Sequence, residues 1–276
     1  MSAAERARAA EVALKVAEEA AEVVRRVYGA PFDVDYKAKD DPVTRADREA
    51  NALACARLAA EFPGVPVVAE ESDPDDYAGF ARAGAAWFVD PLDGTREFVA
   101  RNGEFAVMLG LAEAGRATVG AIVAPAWRRS FVGIVGVGAW EVAADGSRRA
   151  IRVSSQATLA GASFVISRSR DPERVRAFAR AAGAREAVSH GSSGLKGVLV
   201  ASGVHDVYLQ PGRAGMRWDA CATEALVRAA GGECTDADGA PIDYAREDLL
   251  NGRGLLATNG RLHRDVLEAL RAAGDR

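Results

Sequence analysis

Lysine is nearly absent from this chain: of 35 basic residues only Lys15, Lys37, Lys39 and Lys196 are lysine. Histidine and cysteine are also scarce, with three of each. His190, His205, His263, Cys55, Cys221 and Cys234 form no C-x-x-C or H-x-x-x-H spacing, which excludes the usual zinc and dithiol sites. The histidines therefore read as surface or packing residues. Cys221, with no base to pair with, reads as a small buried side chain. No apolar run approaches the roughly 18 residues of a membrane span. The early charges Glu5, Arg6 and Arg8, among helically spaced apolar residues, are unlike a secretory leader. A net charge of −4 is too balanced for a nucleic-acid or polybasic membrane binder. What is present is ordinary globular composition: 276 residues, 49% apolar and 27% charged. That excludes disorder and can bury a sizeable core. The expectation is a cytoplasmic, reduced protein.

The chain reads in two halves. Residues 3 to 28 form an Ala-rich amphipathic helix, and a second runs from after Thr44 to Leu58 before Pro63-Gly64. Val65 to Ala69 and Ala86 to Val89 are short buried strands, each finishing in acid: Glu70-Glu71 and Asp90. Phe105 to Val142 shows short Val/Ile/Ala runs separated by turn residues, the signature of an antiparallel sheet. Beyond Asp145-Gly146 the pattern alternates: strand 163–167, helices 172–182 and 195–201, strand 206–209, helix 219–230, strand 254–258 and a closing helix from about 261. Helix and sheet first, α/β units second, predict two layered subdomains, 1–147 and 148–276.

Trp87-Phe88-Val89-Asp90-Pro91-Leu92-Asp93-Gly94-Thr95 carries the most chemistry. A buried strand delivers Asp90, Pro91 ends the pairing, and Gly94 permits close backbone approach. If a helix begins after Thr95, the Gly94 and Thr95 amides form an anion cradle. Two carboxylates beside such a cradle need cations between them, Mg²⁺ being the hard, oxygen-seeking choice. The plain alternative is an Asp-capped turn. Glu70 can reach the same sheet edge. Asp47 stands at a helix start, where an acid also serves the helix dipole. Asp219 opens the Ala-rich helix before Gly231-Gly232, where a simple N-cap is the alternative. Spacing alone does not bring the four segments together.

Asp41-Pro42-Val43-Thr44…Asp47, Ala69-Glu70-Glu71-Ser72, Trp87…Asp90-Pro91-Leu92-Asp93-Gly94-Thr95 and Trp218-Asp219…Ala230-Gly231-Gly232 resemble, in order, the inositol monophosphatase superfamily of metal-dependent, lithium-sensitive phosphatases. The resemblance implies a five-layer αβαβα sandwich, of mixed α+β and α/β character, with the active site between the halves. It implies Mg²⁺ held by Glu70, Asp90, the Leu92 carbonyl, Asp93 and Asp219. Asp47 and Thr95, with Glu70, would orient and deprotonate a water at the metal. Asp93, Gly94, Thr95 and Asp219 would also contact substrate.

After Thr95 the chain reads Arg96-Glu97-Phe98-Val99-Ala100-Arg101-Asn102-Gly103-Glu104-Phe105, without the Asn-Phe-x-His type signature of the inositol enzymes. Together with Ile166-Ser167-Arg168-Ser169, Gly191-Ser192-Ser193-Gly194-Leu195-Lys196 and Asp206-Val207-Tyr208-Leu209, this is similar to the 3′(2′),5′-bisphosphate nucleotidases. That branch removes the 3′-phosphate of adenosine 3′,5′-bisphosphate. Ser193 and Lys196 would then contact the nucleotide, with Lys196 facing the phosphate that stays. Two positions depart: Arg170 stands where some members have His, near the base or ribose, and Gln210 where some have Arg, near the retained phosphate, with Arg213 or Arg217 as candidate replacements. The alternatives are an inositol or broad sugar-phosphate phosphatase of the same superfamily, and a non-catalytic binding protein. Haloacid-dehalogenase-type phosphatases share D-x-D-G-T signatures, but their aspartates are two apart, whereas Asp90 and Asp93 are three apart. The partner expected is a small phosphate monoester, with no nucleic acid or membrane; a homodimer is compatible.

Overall fold

The computed structural model describes residues 1–38 and 41–274. Lys39, one of the four lysines, lies outside them. In chain order the elements are α1 (Ala3–Tyr28), β1 (Val34–Ala38), β2 (Asp41–Thr44), α2 (Arg45–Glu61), β3 (Val67–Ala69), β4 (Ala85–Asp93), α3 (Thr95–Val99), β5 (Ala106–Glu113), β6 (Arg116–Ala124), β7 (Arg129–Ile134), β8 (Gly138–Val142) and β9 (Arg148–Ile151). There follow β10 (Ser163–Ser167), α4 (Pro172–Ala181), β11 (Glu186–His190), α5 (Ser193–Ala201), β12 (Val207–Gln210), α6 (Arg217–Ala229), β13 (Glu233–Thr235), β14 (Leu255–Thr258) and α7 (His263–Gly274).

Two sheets organise the molecule. The larger runs β3-β4-β5-β6-β7-β8-β9, antiparallel except for the β3–β4 pair. The smaller runs β11-β10-β12-β14-β13. α1 and α2 cover one face of the larger sheet, burying Ala9, Ala13, Ala17, Ala20, Val24 and Val27 from the Ala-rich stripe. α5 and α6 fill the space between the sheets, with Leu195, Val198, Ala222 and Leu226 in one shared core. α4 and α7 close the outer face of the smaller sheet over Phe164, Ile166 and Leu209. Three apolar clusters, one of them spanning both faces of the α5/α6 layer, hold together the five layers of the αβαβα sandwich expected from the resemblance.

The inner contact is unusually close because the sheet offers glycine to the helix. A Cβ on Gly120 would stand 2.5 Å from the Ala222 carbonyl oxygen, and one on Gly110 2.6 Å from the Ala222 nitrogen. Both neighbours are backbone of α6, so nothing can swing aside. Gly120→Ala is expected to cost about 1–3 kcal/mol of stability, the usual penalty for overpacking a filled core. Thermal unfolding checks it: an unchanged midpoint would mean that α6 rides free of the sheet.

Several elements differ from the sequence expectation. β1 and β2, in a stretch without apolar alternation, pair as a two-stranded ribbon in which β1 is largely exposed while Pro42, Val43 and Thr44 of β2 are buried. β9 pairs with β8 as the edge of the larger sheet, so that sheet extends to Ile151, past the expected 147/148 division. β11 is a half-exposed edge strand with a polar sequence. Pro91 does not end the pairing: β4 resumes at Asp93↔Ala106 after a register shift following Asp90↔Met108. Proline has no N–H to donate, and a bulge needs none there. Asp219 is not the N-cap of its helix but lies in its first turn, because α6 begins at Arg217.

Candidate active site

A cavity of about 310 Å³ opens between the two halves, lined by Glu70, Asp90, Leu92, Asp93, Gly94, Thr95, Ser193, Lys196 and Asp219, among others. Nine of the ten sequence-predicted site residues therefore share one space. The tenth, Asp47, touches it through Thr95.

Three elements deliver the four acids. β3 ends at Ala69, and the Glu70 amide donates to the Val89 carbonyl of β4, so Glu70 arrives beside Asp90. β4 carries Asp90 and, past the bulge, Asp93. Gly94 follows with φ +95°, a left-handed conformation that lets the chain turn directly into α3 at Thr95. From the opposite half, Asp219 accepts from the Met216 amide at 2.5 Å, closing the first turn of α6 on itself. Gly215 makes room for it: a Cβ there would stand 2.3 Å from Asp219 Oδ2.

One carboxylate oxygen from each of Asp90, Asp93 and Asp219 lies within 4.8 Å of the other two. Asp90 is only 1% exposed, and burial first, then Glu70, Asp93 and Asp219, push its pKa well above the carboxylate range. Burial, with Asp93 second, pushes Asp219 up to about 6. Burial raises Glu70 to about 8 even though Lys37 opposes it. Glu70, Asp90 and Asp219, with pKa values raised by burial and neighbouring acids, stand with Asp93 in an oxygen-only group short of positive charge. That donor set fits a hard divalent cation, and no nitrogen or sulfur competes within it. Lys37, on β1, donates to Glu70 Oε1 at 2.8 Å and Glu71 Oε1 at 2.7 Å, a partial counterion that the sequence did not signal.

Asp47 has two separate duties. Its Oδ2 accepts from the Thr44 amide and hydroxyl, both at 2.7 Å, which caps α2. Its Oδ1 accepts from the Thr95 hydroxyl at 3.0 Å. That hydroxyl also stands 3.1 Å from the Leu92 carbonyl oxygen. Burial raises the Asp47 pKa against the lowering effect of these donors, leaving a carboxylate of increased basicity.

The second wall comes from the loop 190–193 and α5. Asp93 Oδ2 accepts from the Ser192 hydroxyl and from the Gly194 amide at 2.7 Å, so the acid motif is fastened to the other half. Glu104, from the stretch after α3, accepts from the Gly191 amide at 2.7 Å and from Arg168. Glu97 packs under Gly191 and accepts from Asn102. This brace explains the otherwise unassigned acids of the 96–105 stretch. The Ser193 hydroxyl lies 3.3 Å from the Tyr208 hydroxyl. Lys196 lines the cavity, yet burial lowers its pKa to about 8, and its ammonium points at the carbonyls of its own loop. Neither suggested substitute for the cation missing at Gln210 is placed for that role. Arg217 donates to Asn251, and Arg213 is not among the cavity-lining residues.

Residues 5–275 match the inositol monophosphatase family. The 3′(2′),5′-bisphosphate nucleotidase CysQ of Escherichia coli (strain K12) is 36% identical over 86% of this chain and 94% of its own length. The histidinol-phosphatase of Mycobacterium tuberculosis is 34% identical over 95% of this chain and 97% of its own. Among solved structures, CysQ from Bacteroides thetaiotaomicron superposes with a TM-score of 0.76 at 31% identity, covering 92% of this chain and 98% of that one. Motif order, layered architecture and shared cavity agree with these matches over nearly the whole length, and the chain belongs to the inositol monophosphatase family, a family of metal-dependent phosphatases.

Proposed function

We propose that this phosphatase is a Mg²⁺-dependent 3′(2′),5′-bisphosphate nucleotidase, converting adenosine 3′,5′-bisphosphate to AMP and phosphate. The carrying observation is one cavity lined both by a three-carboxylate cluster and by the basic and hydroxyl-bearing side chains of Arg170, Ser193, Lys196 and Tyr208. The match to the E. coli nucleotidase supports the substrate.

Glu70, Asp90, the Leu92 carbonyl, Asp93 and Asp219 would hold Mg²⁺. When bound, the ion supplies a Lewis acid for the phosphoryl oxygens and makes water a nucleophile near neutral pH. The remaining work falls to the chain. Thr95 orients the attacking water and passes a proton toward Asp47 Oδ1, whose other oxygen is fixed by Thr44. Glu70, which lines the same cavity, is the second acceptor. Gly94 and Thr95 would bring backbone close to the phosphoryl group, and Ser193, which lines the same cavity, would contact the nucleotide.

A side-by-side assay with saturating Mg²⁺ tests the reading on adenosine 3′,5′-bisphosphate, adenosine 3′-monophosphate, inositol 1-phosphate and histidinol phosphate. A charge-assisted contact to the second phosphate predicts a preference for the bisphosphate over the monophosphate of roughly 10- to 150-fold in kcat/KM. Equal or faster hydrolysis of inositol 1-phosphate or histidinol phosphate would remove the nucleotidase assignment and leave the family activity standing.

A further inference from the structure

The N-cap of α6 is Met216, whose side chain offers none of the oxygen acceptors that usually hold a first turn. Main-chain atoms of Met216 hold it instead. The Met216 amide donates to Asp219 Oδ2 at 2.5 Å, and the Met216 carbonyl accepts from the Asp219 amide at 3.1 Å. Asp219 therefore joins the carboxylate cluster in the orientation that Met216 allows. Gly215, just before, has φ +78°, and a Cβ there would strike Asp219 Oδ2.

Asn251, 35 residues further on, meets Met216 from the other side. Main-chain bonds stitch the two stretches together. The Ala214 amide donates to the Asn251 carbonyl and the Asn251 amide to the Gly215 carbonyl, both at 2.9 Å, and the Arg217 amide donates to the Leu249 carbonyl at 2.8 Å. The Asn251 side chain adds two more bonds. Its Nδ2 donates to the Met216 carbonyl at 2.5 Å, and its Oδ1 accepts from Arg217 Nη1. Asn251 is 2% exposed and is not among the cavity-lining residues. One planar amide thus serves as donor on one side and acceptor on the other, which a carboxylate, an acceptor only, does not reproduce.

We propose that Asn251 is a positioning residue for the Asp219 end of the cluster: by holding the Met216 carbonyl it fixes the residue whose amide aims the Asp219 carboxylate. The assignment rests on the reading that Asp219 is a Mg²⁺ ligand, and it is independent of which phosphate ester is cleaved. Without the Nδ2 donor, Met216 is free to rotate and Asp219 spreads over several orientations. A cation then binds only the fraction aimed at the cluster, and its apparent affinity falls by that fraction.

Mg²⁺ titrations of thermal unfolding without substrate, and of activity, test this on wild type, Asn251→Ala, Asn251→Asp and Arg217→Met. Asn251→Ala should raise the Mg²⁺ concentration for half-maximal stabilisation by roughly 3- to 10-fold, the scale of one hydrogen bond. Activity at limiting Mg²⁺ should fall by a similar factor and return as Mg²⁺ is raised, with the KM for substrate unchanged. Asn251→Asp keeps an acceptor for Arg217 but turns an anion toward the Met216 carbonyl, so it should weaken Mg²⁺ at least as much. Arg217→Met removes the other partner and keeps the Met216 bond, so its Mg²⁺ titration should match wild type. Asn251 variants that titrate like wild type, whatever their metal-free midpoint, overturn the assignment. So does an Arg217→Met protein weakened as much as Asn251→Ala, which would make Asn251 a general tie between the two stretches. A wild type that Mg²⁺ neither stabilises nor activates removes the Mg²⁺ reading itself. The main-chain stitching is common to all three variants, so each should fold; if Asn251→Ala does not, Asn251→Asp and Arg217→Met carry the comparison.

Discussion

Asp93→Asn is expected to abolish turnover while leaving the fold intact. Asp93 belongs to both halves of the site: one oxygen joins Asp90 and Asp219 in the cluster, and Oδ2 accepts from Ser192 and the Gly194 amide. Asparagine can keep its carbonyl oxygen toward Ser192 and Gly194, so the fastening to α5 survives. Its NH₂ then faces Asp90 and Asp219, where a donor replaces an anion. The cluster loses one of three charges, and a cation there loses a ligand that no neighbour duplicates. Lewis-acid stabilisation contributes several kcal/mol to such reactions, so kcat/KM should fall by at least about 10³-fold even at saturating Mg²⁺. The metal-free variant should unfold at the same temperature as wild type or higher, because one like charge has left a crowded buried cluster. Adding Mg²⁺ should then stabilise wild type by mass action and the variant far less. Activity within a few-fold of wild type would take Asp93 out of the site.

The parts of this site that were legible in the sequence are those that local chemistry fixes. Asp90-Pro91-Leu92-Asp93-Gly94-Thr95 reads as strand, kink and turn because Pro and Gly leave the backbone few choices, and two acids that close demand a counter-charge. Convergence with Asp219 was not legible, since it depends on α6 lying against glycines of β5 and β6. Asp47 and Asp219 each looked like ordinary helix-start acids, and each is one. Asp47 caps its helix with Oδ2 and meets the Thr95 hydroxyl with Oδ1, and Asp219 accepts from the Met216 amide while standing in the carboxylate cluster, so the two readings are compatible. Lys37 was hidden because its strand is exposed and charged, without the alternation that marks a half-buried sheet. Lys196 was found from its scarcity, but not the direction of its amine. That direction follows from the turn into α5, where Ser192 has φ +53° and folds three carbonyls back over the lysine. Side-chain direction at a helix start is set by the entering loop, which residue spacing does not encode.

Thr95→Ala should lower kcat by at least about 10²-fold, the lower end of what general-base assistance contributes, with a smaller change in KM. The hydroxyl has a single proton and two acceptors in reach, Asp47 Oδ1 at 3.0 Å and the Leu92 carbonyl at 3.1 Å. When it donates to Asp47, its lone pairs face the cavity and can accept from water, so proton movement from water to carboxylate runs through one oxygen. Asp47 suits the receiving end, because burial raises its basicity. Alanine removes the relay but keeps the residue 95 amide, so the phosphate contact made by the backbone persists and KM moves little. Thr95→Ser keeps the hydroxyl and should recover most of the loss. Asp47→Asn should lower kcat comparably, and the double variant should be little worse than either single one, because groups acting as one relay are not additive. Additive losses would mean two independent roles. A Thr95→Ala enzyme altered only in KM would assign the hydroxyl to substrate binding and leave Asp47 to its duty at the start of α2.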